Sequence, residues 1–208
     1  MAGGREGDYC WELVDFVEIY DIQSGTWSEA PNLPDSIVGH CFLKLNEEND
    51  IMMVGGNYLL GSHCSPNTDV YVFKNSEWIK QQGEINAGRS AHVCGTLPDG
   101  SPFIAGGSNY YNGDILKGGI EVFNTKYGFW QLDVHQLPVE VVNYAFLNYD
   151  DSGNVYIVGG TDENEDTTDN VIMYTEDGWK LMDWKLPNPV EGSTGSYSVV
   201  PDQTNIPC

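Results

Sequence analysis

Runs of four or five apolar residues, broken by clusters of glycine, proline, asparagine and aspartate, recur along the whole chain. The pattern is clearest between residues 89 and 140. Ala91-His92-Val93-Cys94 reads as a first strand and Leu97-Pro98-Asp99-Gly100 as the turn after it. Pro102-Phe103-Ile104-Ala105 is an apolar second strand that stops at Gly106-Gly107. After a long polar loop, Gly119-Ile120-Glu121-Val122-Phe123 alternates as a third strand, and a fourth centres on Trp130. The same order returns with Ile51-Met52-Met53-Val54, Val70-Tyr71-Val72-Phe73 and Glu77-Trp78-Ile79. It returns again with Val155-Tyr156-Ile157-Val158, Val171-Ile172-Met173-Tyr174 and Gly178-Trp179-Lys180. Short strands bounded by turn clusters predict an all-β fold.

One clock runs through these elements. The paired glycines Gly3-Gly4, Gly55-Gly56, Gly106-Gly107 and Gly159-Gly160 step by 52, 51 and 53 residues. Trp27, Trp78, Trp130 and Trp179 step by 51, 52 and 49, each preceded by an aromatic: Tyr20, Phe73, Phe123 and Tyr174. A third series, His40, His92, Tyr144 and Tyr197, steps by 52, 52 and 53. Three residue types in one register define an internal repeat of about 50 residues.

An apolar strand, Gly-Gly, a long loop, an aromatic before a turn, then Trp and a terminal Leu-Pro: this unit resembles the kelch repeat, over nearly the whole chain. The resemblance implies an all-β, kelch-type β-propeller of about four blades, each of four antiparallel strands, with the first and last blades incomplete. A single propeller segment then spans residues 1–208. It comprises a partial blade (1–36), three blades (37–88, 89–140 and 141–192) and, in 193–208, the first strand of a further one. Trp78 and Trp130, with a blade on either side, are expected to be buried. The phase of the repeat leaves blade I without its first strand and nearly all of its second, which suggests a segment of a longer propeller. The end segments 1–36 and 141–192 carry net charges of −7 and −9, so closing a ring at four blades would bring the most acidic blades together.

Charge narrows the function classes. With 31 acidic and 9 basic side chains the net charge is −22, and the only arginines are Arg5 and Arg89. Binding to nucleic acid needs a basic footprint, and an anionic membrane surface attracts basic segments, so neither is expected as a partner. No apolar stretch is long enough for a membrane helix. The first five residues lack the apolar core of a signal peptide.

Catalytic signatures are absent from the sequence: no G-x-S-x-G elbow, Walker loop, H-E-x-x-H or C-x-x-C occurs. His40 and His92 share a repeat position near the channel, where imidazoles could hold a metal, but tyrosine fills that position in the later units, which favours packing. No metal or cofactor is expected. Asp162, Asn164 and Asp166 have a D-x-N-x-D spacing without the Gly and the bidentate Glu that a calcium loop requires. They read as a solvated acidic loop. Cys41 and Cys94 fall on corresponding first strands, and Cys10 and Cys64 in corresponding loops. Each pair is within reach of a disulfide across adjacent blades, or stays as free thiols, and the choice decides between an extracellular and a cytoplasmic setting.

In kelch propellers the loops after the glycine pairs and the residues entering each first strand converge on one face around the channel, which commonly binds partner proteins. Mapped onto this chain, that face comprises Arg5, Asn57, Tyr58, Ser108, Asn109, Tyr110, Thr161 and Asp162, with Arg89, Ser90, Asn143 and Thr194. The resemblance implies a non-catalytic interaction module that binds a protein or peptide there, as in substrate receptors of ubiquitin ligases. Only two arginines fall on the face, which favours a neutral or basic partner over an acidic one. The alternative is a carbohydrate-active or copper-oxidase-like propeller enzyme.

Overall fold

The computed structural model describes residues 2–6, 12–45, 50–61, 63–109, 114–115, 119–140, 142–143, 146–149, 153–162, 164 and 166–192. Among them are six antiparallel sheets, four of them following the repeats one by one, and no α-helix. Blade II pairs Cys41–Lys44, Ile51–Val54, Val70–Lys74 and Glu77–Lys80 in that spatial order. Blade III does so with Val93–Thr96, Pro102–Ala105, Ile120–Asn124 and Phe129–Leu132. Blade IV uses Phe146–Tyr149, Val155–Val158, Val171–Thr175 and Gly178–Leu181. Blade I has three strands, Ala2–Arg5, Leu13–Asp21 and Thr26–Ala30. Here the structure departs from the sequence reading: the segment carrying Gly3-Gly4 is itself a strand, paired to the start of Leu13–Asp21.

The aromatic that precedes each tryptophan is its cross-strand partner. Tyr20 faces Trp27, Phe73 faces Trp78, Phe123 faces Trp130 and Tyr174 faces Trp179. Their ring centroids lie 5.1, 4.9, 5.3 and 5.2 Å apart. Sequence spacing differs only because the connecting turn has two lengths. The two-residue turn Asn75-Ser76 takes φ of 51° and 63°, the mirror-image geometry that suits the twist of a hairpin. The longer turn after Asn124 is held by its side chain, whose Oδ1 accepts from the amides of Lys126 and Tyr127, both at 3.1 Å.

The core lies between blades. Strand residues alternate between neighbours: Met53 faces blade I and Met52 faces blade III, while Ile104 faces blade II and Phe103 faces blade IV. Trp78, Trp130 and Trp179 each pack against the preceding blade. Trp130 joins Met52 and Val54, and Trp179 stacks on Phe103 at a centroid distance of 5.2 Å. Trp130 and Trp179 are buried, but Trp78 is only half-buried, contrary to the expectation that two flanking blades would cover it. The preceding blade decides, and among the described residues blade I has three strands rather than four. Trp78 donates from Nε1 to the Pro31 carbonyl at 3.0 Å and leaves the rest of its ring at the edge.

Both glycines of each pair have positive φ, from 59° to 111°. At Gly55 a Cβ would stand 2.6 Å from His92 Cε1 and 2.7 Å from the Arg89 carbonyl. The next blade therefore crosses directly over this backbone, and only glycine leaves room. Gly3 and His40 repeat the arrangement one blade earlier.

Candidate functional site: the loop face around the channel

The loops after the glycine pairs fold into small sheets of their own rather than running as open polar connectors. In blade II, Ile37–Val38, Asn57–Leu60 and His63–Pro66 form a three-stranded sheet. In blade III, Ser108–Asn109 pairs with Asp114–Ile115, and Ser90 bridges to Ser108 through both backbone bonds, at 3.0 and 2.9 Å. In blade IV, Val142 and Thr161 exchange bonds of 2.9 and 2.7 Å. The two sets of residues mapped from the sequence, post-glycine loop and first-strand entry, therefore meet in each blade.

Consecutive blades are stapled at this face. The Ala91 amide donates to the Gly39 carbonyl at 3.1 Å, that of Asn143 to Ala91 at 3.2 Å, and that of Gly192 to Asn143 at 3.1 Å. Gly39, Ala91 and Asn143 occupy one repeat position and share a left-handed φ of 68°, 53° and 49°. This conformation is costly for alanine, so the ring of bonds must hold it in place. Gly192 continues the series of bonds, 49 residues after Asn143. Tyr197 lies outside the described residues. Side chains add a second staple: Asn57 Nδ2 donates to Ser90 Oγ at 2.8 Å, and Thr161 Oγ1 donates to Glu191 Oε2 at 2.7 Å.

These bonds re-sort the mapped residues. Asn57, Ser90 and Thr161 are buried as parts of the scaffold, which corrects their assignment as contact residues. Arg89 is corrected most sharply. It is 1% exposed, and its guanidinium donates to Glu121 Oε1 at 2.6 Å and to the carbonyls of Ala87, Gly106 and Gly119. Glu121, also buried, accepts in turn from the amides of Asn86 and Ala87, at 2.6 and 3.2 Å. Such a fully bonded pair is a buried strut between strands and is closed to a ligand. Arg5 stays exposed, while Tyr58, Ser108, Asn109, Asn143 and Asp162 are half-buried at the rim. Tyr110, Thr194 and Cys10 lie outside the described residues. Glu121 went unremarked in the sequence, where the available signal is a lone acid within an apolar strand. Glu191 and the left-handed Ala91 carried no signal.

Beneath the rim sit the two histidines. Neither ring nitrogen of His92 has a hydrogen-bond partner, nor has Nδ1 of His40. Burial holds His92 near a pKa of about 3, helped by the Arg89 charge and by the neighbouring His40 and opposed by the Val54 carbonyl, and pushes His40 down to about 4 against the pull of the Ala2 and Ile37 carbonyls. Both are neutral spacers at pH 7. Asp162 Oδ1 accepts from the amides of Asn164 and Asp166, at 2.9 and 3.0 Å, so the carboxylate closes its own loop. No group of three or more His, Cys, Asp or Glu stands in metal-holding geometry among the described residues. Cys41 and Cys94 are joined by a disulfide between the inner strands of blades II and III, with Cα atoms 6.1 Å apart. Cys64 is also disulfide-bonded.

Antiparallel blades of three and four strands, with paired glycines and inter-blade tryptophans, define a kelch-type β-propeller fold. No family model matches the sequence. Among curated proteins it is similar to Kelch-like protein 40 of Xenopus laevis, 30% identical over 169 residues, which are 79% of this chain and 25% of that protein. It is also similar to Kelch-like protein 40 of Mus musculus, 28% identical over 160 residues, 77% of this chain and 24% of that protein. The chain thus spans about a quarter of the length of the curated relatives it matches. A solved structure titled "Structure of YjhT" superposes with a TM-score of 0.68 at 12% identity, covering 85% of this chain and 60% of that one. At that identity the likeness is one of fold.

Proposed function

We propose that the chain is a non-catalytic kelch interaction module that binds a protein or peptide segment on the loop face around the channel. The observation that carries this reading is the stapled rim. Backbone and side-chain bonds fix the loops of successive blades to one another, while Arg5, Tyr58, Ser108, Asn109, Asn143 and Asp162 remain accessible. A pre-ordered polar rim binds without the cost of ordering its loops. Tyrosine and asparagine there supply adaptable contacts. With Arg89 withdrawn into the scaffold, Arg5 is the one arginine left at the rim, which strengthens the preference for a neutral or basic partner. The Kelch-like relatives support the interaction role, and the finer form of this proposal, implied by the kelch resemblance, is the substrate-recognition part of a ubiquitin ligase.

The test is selection from a random displayed-peptide library, with counter-selection against the triple variant Tyr58→Ala, Asn109→Ala, Asp162→Asn. Recovered peptides should be neutral or basic and should lose at least about tenfold in affinity on the variant, a difference of about 1.4 kcal/mol. Recovery of acidic peptides would refute the charge preference, and binding indifferent to the variant would refute the face.

A further inference from the structure

At the junction of blades II and III the rim is held by two kinds of link, and one of them can open chemically. The Ala91 amide bonds to the Gly39 carbonyl, and Ser90 is pinned on both sides, by Asn57 Nδ2 at 2.8 Å and by its bridge to Ser108. These bonds hold Ala91 at its costly left-handed φ of 53°. Two residues beyond Gly39 stands Cys41, and three beyond Ala91 stands Cys94, joined by a disulfide with Cα atoms 6.1 Å apart. Their strands, Cys41–Lys44 and Val93–Thr96, belong to different sheets, so the disulfide is a covalent tie between blades. At the next junction the same repeat positions, 52 residues on, hold Val93 and Phe146. The tie is therefore particular to this junction and not a feature of the repeat. Cys94 Sγ also lies 3.3 Å from the Phe42 carbonyl, an acceptor to which a thiol there would donate. Cys41 is half-buried and Cys94 is buried.

We propose that Cys41 and Cys94 are a reversible thiol–disulfide switch, which fixes the rim between blades II and III when oxidised and loosens it when reduced. The fold accommodates both states: the sulfurs meet across the junction, and the Cys94 thiol has the Phe42 carbonyl as its partner. The oxidant is a low-molecular-weight disulfide such as glutathione disulfide. The thiolate of Cys41, the more accessible of the two, attacks one of its sulfurs and releases the first glutathione thiolate. The Cys94 thiolate then attacks the Cys41 sulfur of the mixed disulfide and releases the second. Two cysteine thiols are oxidised, one external disulfide is reduced to two thiols, and the two protons pass to the departing thiolates. A consequence for affinity rests on the rim being the binding site: a rim fixed in advance binds without the cost of ordering it. In the ubiquitin-ligase form of the proposed function the chain works among reducing thiols, where disulfides are transient and redox-sensing.

Differential alkylation and hydrogen exchange of the 208-residue chain test this, in reduced glutathione and after addition of glutathione disulfide. Cys41 and Cys94 should be alkylated in the first buffer and protected in the second, with the circular dichroism of the fold unchanged. Amides of 39–41, 90–94 and 108 should exchange at least about tenfold faster in the reduced chain. The double variant Cys41→Ser, Cys94→Ser should exchange at the reduced rate in both buffers, which separates this bond from that of Cys64. A library-selected peptide should bind the oxidised chain at least about threefold more tightly. A bond that reduced glutathione leaves intact, a reduced chain that unfolds, or equal rim exchange in the two buffers would each overturn the switch. Alkylation and exchange are read without a peptide, so they decide the switch even if the binding reading fails. Equal peptide affinity in the two states would overturn its control of binding.

Discussion

Arg89 and His92, three residues apart, lie at the entry to one inner strand, and burial gives them opposite charge states. Arg89 keeps its charge because Glu121 and the carbonyls of Ala87, Gly106 and Gly119 replace its water. Replacing it as Arg89→Met should cost about 3–5 kcal/mol, because Glu121 is left charged and buried. Adding Glu121→Gln, which keeps an acceptor for the Asn86 amide, should recover part of that loss, as read from urea midpoints. A double variant no more stable than the single one would show that the pair is not a unit. His92 has no such partners and stays neutral. Its folded pKa of about 3 lies below the ordinary 6.5, so below pH 6.5 the unfolded chain binds a proton that the folded chain refuses. Stability is then fully present above pH 6.5 and falls as pH drops toward 3, by about 1.4 kcal/mol per unit. Between pH 7 and 5.5 the wild type should lose about 1.4 kcal/mol more than His92→Gln in the same buffers. Equal losses would place the ring in solvent.

Between blades, the direction of each tryptophan sets what it contributes. Trp130→Ala should cost about 3–5 kcal/mol, because its ring fills the junction with blade II. Trp27→Ala, at the same repeat position but 60% exposed, should change the stability of the chain by under about 0.5 kcal/mol. Chemical denaturation of both variants reads the contrast, and a large loss at Trp27 would mean that something already covers it. The disulfide between Cys41 and Cys94 ties blades II and III across 53 residues, a closure worth about 4 kcal/mol in the chain-entropy model. Much of this scale was legible in the sequence. Strand pairs and glycine pairs leave periodic marks, because a repeated environment selects the same residue each time. The fate of Trp78 was not legible, since it depends on how closely blade I packs over it. Nor were the scaffold roles of Asn57, Ser90 and Thr161. A polar residue in a loop looks the same in sequence whether it faces a partner or bonds the next blade, and only the inter-blade bonds at 39, 91, 143 and 192 separate the cases.

Over the whole molecule, geometry and charge point the same way. The staples run around one face of the arc, and the net charge of −22 surrounds it. A field of that sign draws basic segments toward the rim, leaves neutral ones unhindered and turns acidic ones away, an effect that weakens as salt screens it. The account stands on that rim being where a partner binds. Hydrogen exchange of the chain with and without a library-selected peptide tests it most directly, because protection maps the contact residue by residue. Protection should appear at 57–60, 108–109, 142–143 and 161–162 and should be absent from the outer strands Thr26–Ala30 and Phe129–Leu132. Protection centred on those outer strands, with the rim amides unchanged, would contradict it.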